Sequence, residues 1–379
     1  MARLVLTAEN FAFGPIGKLL YVADLLKDKG HALMFAGYGT SLQLAKKFPF
    51  AAIHEVDTDN PESNSALESI ISRADALISS MDVSSVIMAK RLKKPVVWID
   101  CLFWFWNNIP EAVFDVDLYI RERSLDDSVN EAKFGPKIKK MYSVGPIIGK
   151  TKNKKRGAQV LISFGGGEAS YWYKAGVDTN YPFIITNILS SHVDWSHFER
   201  VLLTTSGRIV RELEKKFSKI PFKFTTLPHD KFLEEMSQSE VILITPGLVT
   251  AEAAFYSETP TIFLPASNNS QYLQLEEFRR LGLATASVHL ADFMPKLNLK
   301  GIPIGRSTQE MLQQLREFES LSEVQVKVGT KINELVKDRK KWSAVSIRKG
   351  REFIASLGGN GAETSAHRIL QLLTDKGIK

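Results

Sequence analysis

Between Ile244 and Pro265 the chain reads ITPGLVTAEAAFYSETPTIFLP, a glycine-broken polar turn between two apolar runs. VILI before the turn and TIFLP after it suit buried strands. Leu248, Ala251, Ala254 and Phe255 recur at the spacing of a helix packed on a sheet. In such a strand, helix, strand unit the helix starts at the carboxyl edge of a parallel sheet, where free N–H groups and the dipole favour an anion. Thr250 and Glu252 are expected in that first turn; taken alone they are a hydroxyl and a dipole-friendly acid. Two further turns carry glycines that let a ligand approach the backbone: AENFAFGPIG, with Glu9, Asn10, Gly14 and Gly17, and SFGGGEAS, with Gly165, Gly166 and Gly167. A carboxylate within reach of an acceptor hydroxyl can take its proton, and Glu9 and Asp100 are the candidates. Asp100 ends the run PVVWID, where a turn cap is an equally good reading. The following LFWFWNN gathers Phe103, Trp104, Phe105 and Trp106. Such rings pack in cores or stack on sugars and apolar acceptors, and Trp104 is the candidate for an acceptor pocket.

These residues need a frame. RLVLTA reads as a strand, IGKLLYVADLLKDKG as a helix closing on Gly30 and HALMFAG as a second strand; ALISS and PVVWID continue the alternation. After the basic run GKTKNKKRG the pattern restarts with QVLISF, RVLLTT, FKFTT, VILIT and TIFLP. Alternating strands and helices predict an α/β protein of two Rossmann-like, doubly wound domains facing across a cleft. Beyond Thr308 the chain turns helical, and GGNG before the last helix, lacking a preceding strand and the GxGxxG spacing, reads as a helix cap. The expected domains are 1–149 as the first Rossmann-like domain, 150–157 as linker, 158–345 as the second, and 346–379 as C-terminal helices that could cross back to the first domain.

The totals exclude several classes. With 379 residues, 44% of them hydrophobic and 24% charged, the chain is long enough for two cores. No apolar run reaches the roughly 18 residues of a membrane-spanning helix, so a peripheral membrane contact is the most that is expected. One cysteine, Cys101, leaves no internal disulfide, and MARLVLTAEN enters a strand at once; both point to the cytoplasm. The net charge of +7 is mild, and no aromatic residues interleave with the basic run, so nucleic acid is not expected as a partner. No P-loop, HExxH or metal-spaced Cys/His cluster occurs; Asp57 with Asp59, and Asp115 with Asp117, read as surface turns rather than metal ligands.

Three stretches resemble a known family: ISFGGG at Ile162–Gly167, TLPHDKFLEEMSQSEVILITPGLVTAEAAFYSETPTIFLP at Thr226–Pro265, and NNSQYLQLEEFRRLG at Asn268–Gly282. They are similar to the nucleotide-sugar domain of GT-B glycosyltransferases, in the branch of the peptidoglycan N-acetylglucosaminyltransferase and the nucleotide-sugar hydrolases of the pseudaminic acid pathway. GGNGAETSAHRIL is similar to a helix start of the hydrolase branch. The resemblance covers most of the second half and the first half in layout alone.

The resemblance implies a role for each matching residue. Glu252 would accept both ribose hydroxyls, Gly247, Leu248 and Thr250 would form the turn at the diphosphate, and Leu227 would sit where backbone reads the base. Gln271 and Gln274, with Asn268 and Asn269 just before them, would hold the donor sugar. It also implies metal-independent, inverting transfer from a UDP- or dTDP-sugar to an acceptor of unknown identity, with the nucleotide sugar as co-substrate and no other cofactor. The family's transferases usually carry a histidine in the first glycine loop, where this chain offers Glu9 and Asn10. A nucleotide-sugar hydrolase or 2-epimerase, and a non-catalytic nucleotide-sugar-binding partner protein, are therefore the alternatives. The acceptor, the sugar and the oligomeric state are left open.

Overall fold

The computed structural model describes residues 2–11, 13–149, 155–165 and 180–378. Two compact units emerge, one formed by Met1–Lys150 with Ile354–Lys379, the other by Thr151–Phe353.

The first unit runs β1 (Arg3–Ala8), α1 (Gly14–Lys27), β2 (Ala32–Gly37), α2 (Gly39–Ala45), β3 (Ala52–Glu55), α3 (Asn64–Ser72), β4 (Ala76–Ser80), α4 (Val83–Arg91), β5 (Val96–Asp100), β6 (Leu118–Glu122), α5 (Ser128–Phe134) and β7 (Met141–Val144). Its sheet order is β3-β2-β1-β4-β5-β6-β7, parallel throughout. β4, β5 and β6 are buried at every residue, and in β4 and β5 this shows as continuous rather than alternating runs.

The second unit runs β8 (Gly157–Ser163), α6 (Tyr181–His192), β9 (Arg200–Thr204), α7 (Gly207–Lys216), β10 (Phe222–Thr225), α8 (His229–Gln238), β11 (Ser239–Ile244), α9 (Leu248–Tyr256), β12 (Thr261–Phe263), α10 (Asn269–Arg280), α11 (Ile304–Ser320), α12 (Ser322–Lys337) and α13 (Arg339–Ser356). Its sheet is also parallel, in the order β10-β9-β8-β11-β12. Each sheet thus reverses direction once, between β1 and β4 in the first unit and between β8 and β11 in the second. Such switch points leave a crevice at the carboxyl ends of the strands.

The chain re-enters the first unit at Ile354, within α13 and beyond the expected boundary after 345, and α14 (Ala362–Asp375) then packs on α1. GGNG does more than cap α14. A Cβ at Gly145 would lie 2.0 Å from the Gly359 carbonyl oxygen, and one at Gly361 would lie 2.0 Å from that of Gly145, so only glycine admits this approach. The Gly361 amide donates to the Pro146 carbonyl at 2.8 Å, and the Asn360 side-chain amide to that of Ile148 at 2.7 Å. The neighbouring Ile147 amide donates to Glu122 at 2.8 Å, and Glu122 is also ion-paired with Lys18 of α1, both side chains fully buried.

Candidate functional site

At the switch point of the second sheet, the turns after β8 and β11 meet. The Thr245 amide donates to the Ser163 carbonyl at 3.1 Å, and the Gly165 amide to the Ser163 hydroxyl at 3.3 Å. Gly165 has φ +61° with open space where a side chain would be, the conformation that calls for glycine. Gly166 and Gly167 lie outside the described residues. After β11 the Gly247 amide closes a tight turn onto the Thr245 carbonyl at 2.6 Å, and Gly247 becomes the N-cap of α9. Having no side chain, it leaves the first amides of α9 to a ligand. Leu248 is buried and Thr250 is half-buried in this turn.

Gln271 reaches the same place. Its Nε2 lies 4.0 Å from where a Gly247 side chain would begin and donates to the Thr245 hydroxyl at 3.4 Å. Its Oε1 accepts from the Ser267 amide at 2.9 Å and hydroxyl at 2.8 Å. The other polar residues of this segment are placed differently. Asn268 caps α10, accepting from the Gln271 amide at 2.9 Å, and Asn269 is buried, donating to the Ser307 hydroxyl at 2.7 Å. Gln274 is 4% exposed, and its Oε1 is buried with no hydrogen-bond partner among the described residues. Leu227 is half-buried, just after β10.

Glu252 corrects an expectation. Because α9 begins at Leu248, Glu252 falls in the second turn, beyond the reach of a first-turn dipole contact, and it is 0% exposed.

At the switch point of the first sheet, Gly14 and Gly17 prove to be the first and fourth residues of α1 rather than part of the turn after β1. Pro15 in the first turn starts the helix there, since its fixed φ and missing N–H suit that position. Glu9 is half-buried; its amide donates to the Ser80 carbonyl at 2.9 Å, fixing it at the end of β1 beside β4. The Asn10 side-chain oxygen, Oδ1, accepts from the Thr40 amide at 2.9 Å and hydroxyl at 2.8 Å, tying this loop to the start of α2.

Asp100 is fully buried. It accepts from the Leu102 amide at 2.9 Å, from the Trp106 indole at 2.9 Å and from the Tyr119 hydroxyl, so it holds the aromatic loop in place. Asn130 donates to the Phe103 and Trp106 carbonyls at 2.7 and 2.9 Å, a second tie that the sequence gave no reason to expect. Trp104 is half-buried beside Phe105, with ring centroids 5.3 Å apart.

Burial pushes the Asp100 carboxyl up to about 6, against the hydrogen bonds from Tyr119, Leu102 and Trp106 that pull it down. The folded chain then holds this proton to higher pH than the unfolded chain, where a carboxyl titrates near about 3.9. Its stabilising contribution is therefore full below about pH 4 and lost as pH rises through 6, a change of about 3 kcal/mol. The Asp100→Asn variant should lack this loss, so its melting temperature should gain on the natural chain between pH 4 and 7. A pH-independent offset would show instead that the carboxyl titrates normally.

No family model matches the chain, and no curated protein matches its sequence. Among solved structures, the calicheamicin glycosyltransferase CalG4 is similar over 99% of this chain and 98% of its own, at 13% identity and a TM-score of 0.51. MurG of Acinetobacter baumannii aligns over 98% of this chain and 100% of its own at 12% identity, with a TM-score of 0.47. The spinosyn rhamnosyltransferase SpnG aligns over 99% and 100% at 12% identity, with a TM-score of 0.49. The likeness to CalG4 bears on fold; the other two are too distant to add to it. Two parallel sheets, each with one switch point, a C-terminal return to the first unit and this likeness together give the chain the GT-B fold of glycosyltransferases.

Proposed function

We propose that the chain is a glycosyltransferase that moves a sugar, with inversion and without a metal ion, from a UDP- or dTDP-sugar to an acceptor bound by the first unit. The observation that supports this most is the turn at Gly247. It brings the open amides of α9, the Thr245 hydroxyl and the Gln271 amide together at the switch point of a parallel sheet. Helix-start amides suit a diphosphate in the ground state and stabilise the charge it gains on leaving. Gln271, poised beside them, suits the sugar. Glu252, one turn further along α9, suits the ribose, because a carboxylate offers two acceptor oxygens to two neighbouring hydroxyls.

Glu9 is the base in this reading. It is half-buried and fixed at the first unit's switch point, whereas Asp100 is sealed and committed to three donors. Glu9 would take the acceptor proton as the glycosidic bond forms and the diphosphate departs.

A thermal-shift panel of UDP, dTDP, GDP and CDP tests the donor assignment. A nucleotide at 100 times its dissociation constant should add roughly 2.7 kcal/mol of stability, with UDP or dTDP giving the largest shift. If all four leave the melting temperature unchanged, the chain does not bind a nucleotide sugar. Glu9→Gln should keep the nucleotide shift and lose acceptor-dependent release of nucleoside diphosphate; full release by this variant would move the base elsewhere.

A further inference from the structure

The first turn of α7 runs against the rule for helix ends. A helix N-terminus favours acids and disfavours cations, yet this turn holds Arg208 and no acid, with Arg211 directly after it. Arg208 is paired with Glu212 at 3.2 Å. Arg211 is exposed and folds back, placing its Nη1 3.7 Å from the point where a Gly207 side chain would begin; the Thr226 hydroxyl lies at the same 3.7 Å. The N-cap, Ser206, makes no capping bond with its side chain. Ser206 is 0% exposed and Thr205 1%, and neither buried hydroxyl has a hydrogen-bond partner among the described residues.

Buried hydroxyls are rarely left this way, and two in succession at an uncapped helix start call for a ligand. Guanidinium, hydroxyls and helix-start amides share one complement, an oxyanion. We propose that the start of α7 is an oxyanion site that takes a phosphate group, with Arg211 as its cation and Ser206 and Thr205 as its hydroxyls. The site goes beyond the donor assignment at α9. β9 and β11 flank β8 on opposite sides, so the starts of α7 and α9 lie two strand spacings apart, about 10 Å, on the same sheet edge.

Inorganic phosphate, titrated calorimetrically into the whole chain in a chloride buffer, tests the site. The natural chain should bind saturably, and Arg211→Gln and Ser206→Ala should each weaken binding, the former by roughly tenfold or more. Loss of phosphate binding in Arg211→Gln, whose side chain reaches the Gly207 turn of α7, separates this site from the one at α9. Melting temperatures of the ligand-free variants confirm that they are folded, as expected for the exposed Arg211. Absence of saturable binding, or equal affinity in Arg211→Gln, would overturn the site.

Repeating the titration with saturating UDP identifies the source of the phosphate. Unchanged phosphate affinity would mean a separate phosphate or phosphomonoester. Competition, together with weaker UDP binding by Arg211→Gln, would mean that the nucleotide's own phosphates sit at α7, and the α9 assignment would fall while this one stood.

Discussion

Glu252→Ala is expected to weaken binding of the best nucleotide by roughly 10- to 150-fold, the equivalent of about 1.5 to 3 kcal/mol for a charge-assisted hydrogen-bond pair. The prediction rests on the placement of Glu252 one turn into α9, behind the Gly247 turn, with no exposed surface. Two neighbouring hydroxyls donating to one carboxylate make a charge-assisted pair. Glu252→Gln keeps the shape and one acceptor oxygen, so it should lose less affinity than the alanine variant. Stability of the ligand-free variants separates the two possible roles. A ribose acceptor loses affinity while the folded chain melts close to its natural temperature; a core tie loses melting temperature with affinity intact. Calorimetric titration alongside thermal melts reads both. Unchanged affinity in Glu252→Ala would remove the ribose role.

Lys18→Met should be the most destabilising single change considered for the first unit, at about 3–5 kcal/mol, because it leaves the Glu122 charge buried without its cation. The double variant Lys18→Met/Glu122→Gln should recover most of that loss. It removes both charges together, and position 122 keeps an oxygen for the Ile147 amide. Denaturant unfolding of both variants, compared with the natural chain, provides the measurement. If the double variant is as unstable as Lys18→Met, the damage comes from lost packing rather than from an uncompensated charge.

How far the fold could be read from sequence depended on where each strand lies. β1, β4, β5, β8, β9 and β11 stand in sheet interiors, where burial on both faces demands unbroken apolar runs, and those runs are plain to see. β6 lies just as deep but reads LYIRE, and its two charges hide it. They are tolerable because Glu122 pairs with Lys18 and Arg121 with Asp127 at 3.2 Å and Glu131 at 2.9 Å, partners distant or unremarkable in sequence. β3 and β7 are edge strands, short and partly exposed, with little apolar signal. At the site, the Gly247 turn was legible because a glycine between strand and helix has few other uses. The depth of Glu252 was not, since one turn of helix start decides whether an acid meets solvent. Gly14 and Gly17 misled for a related reason: GPIG has the composition of a loop, yet a proline in the first turn suits a helix.

The clasp between residues 145–148 and 359–361 also bears on the order in which the chain can be finished. Glycines 216 residues apart in sequence touch backbone to backbone there, and the whole of the second unit is threaded between them. During synthesis the first unit is begun before the second, but its α1 has no α14 to pack on until the segment after Phe353 has been made. The second unit, an unbroken stretch from Thr151 to Phe353, meets no such wait. The domain begun first is thus completed only after the second has been made, and until then it stands with one flank of α1 bare.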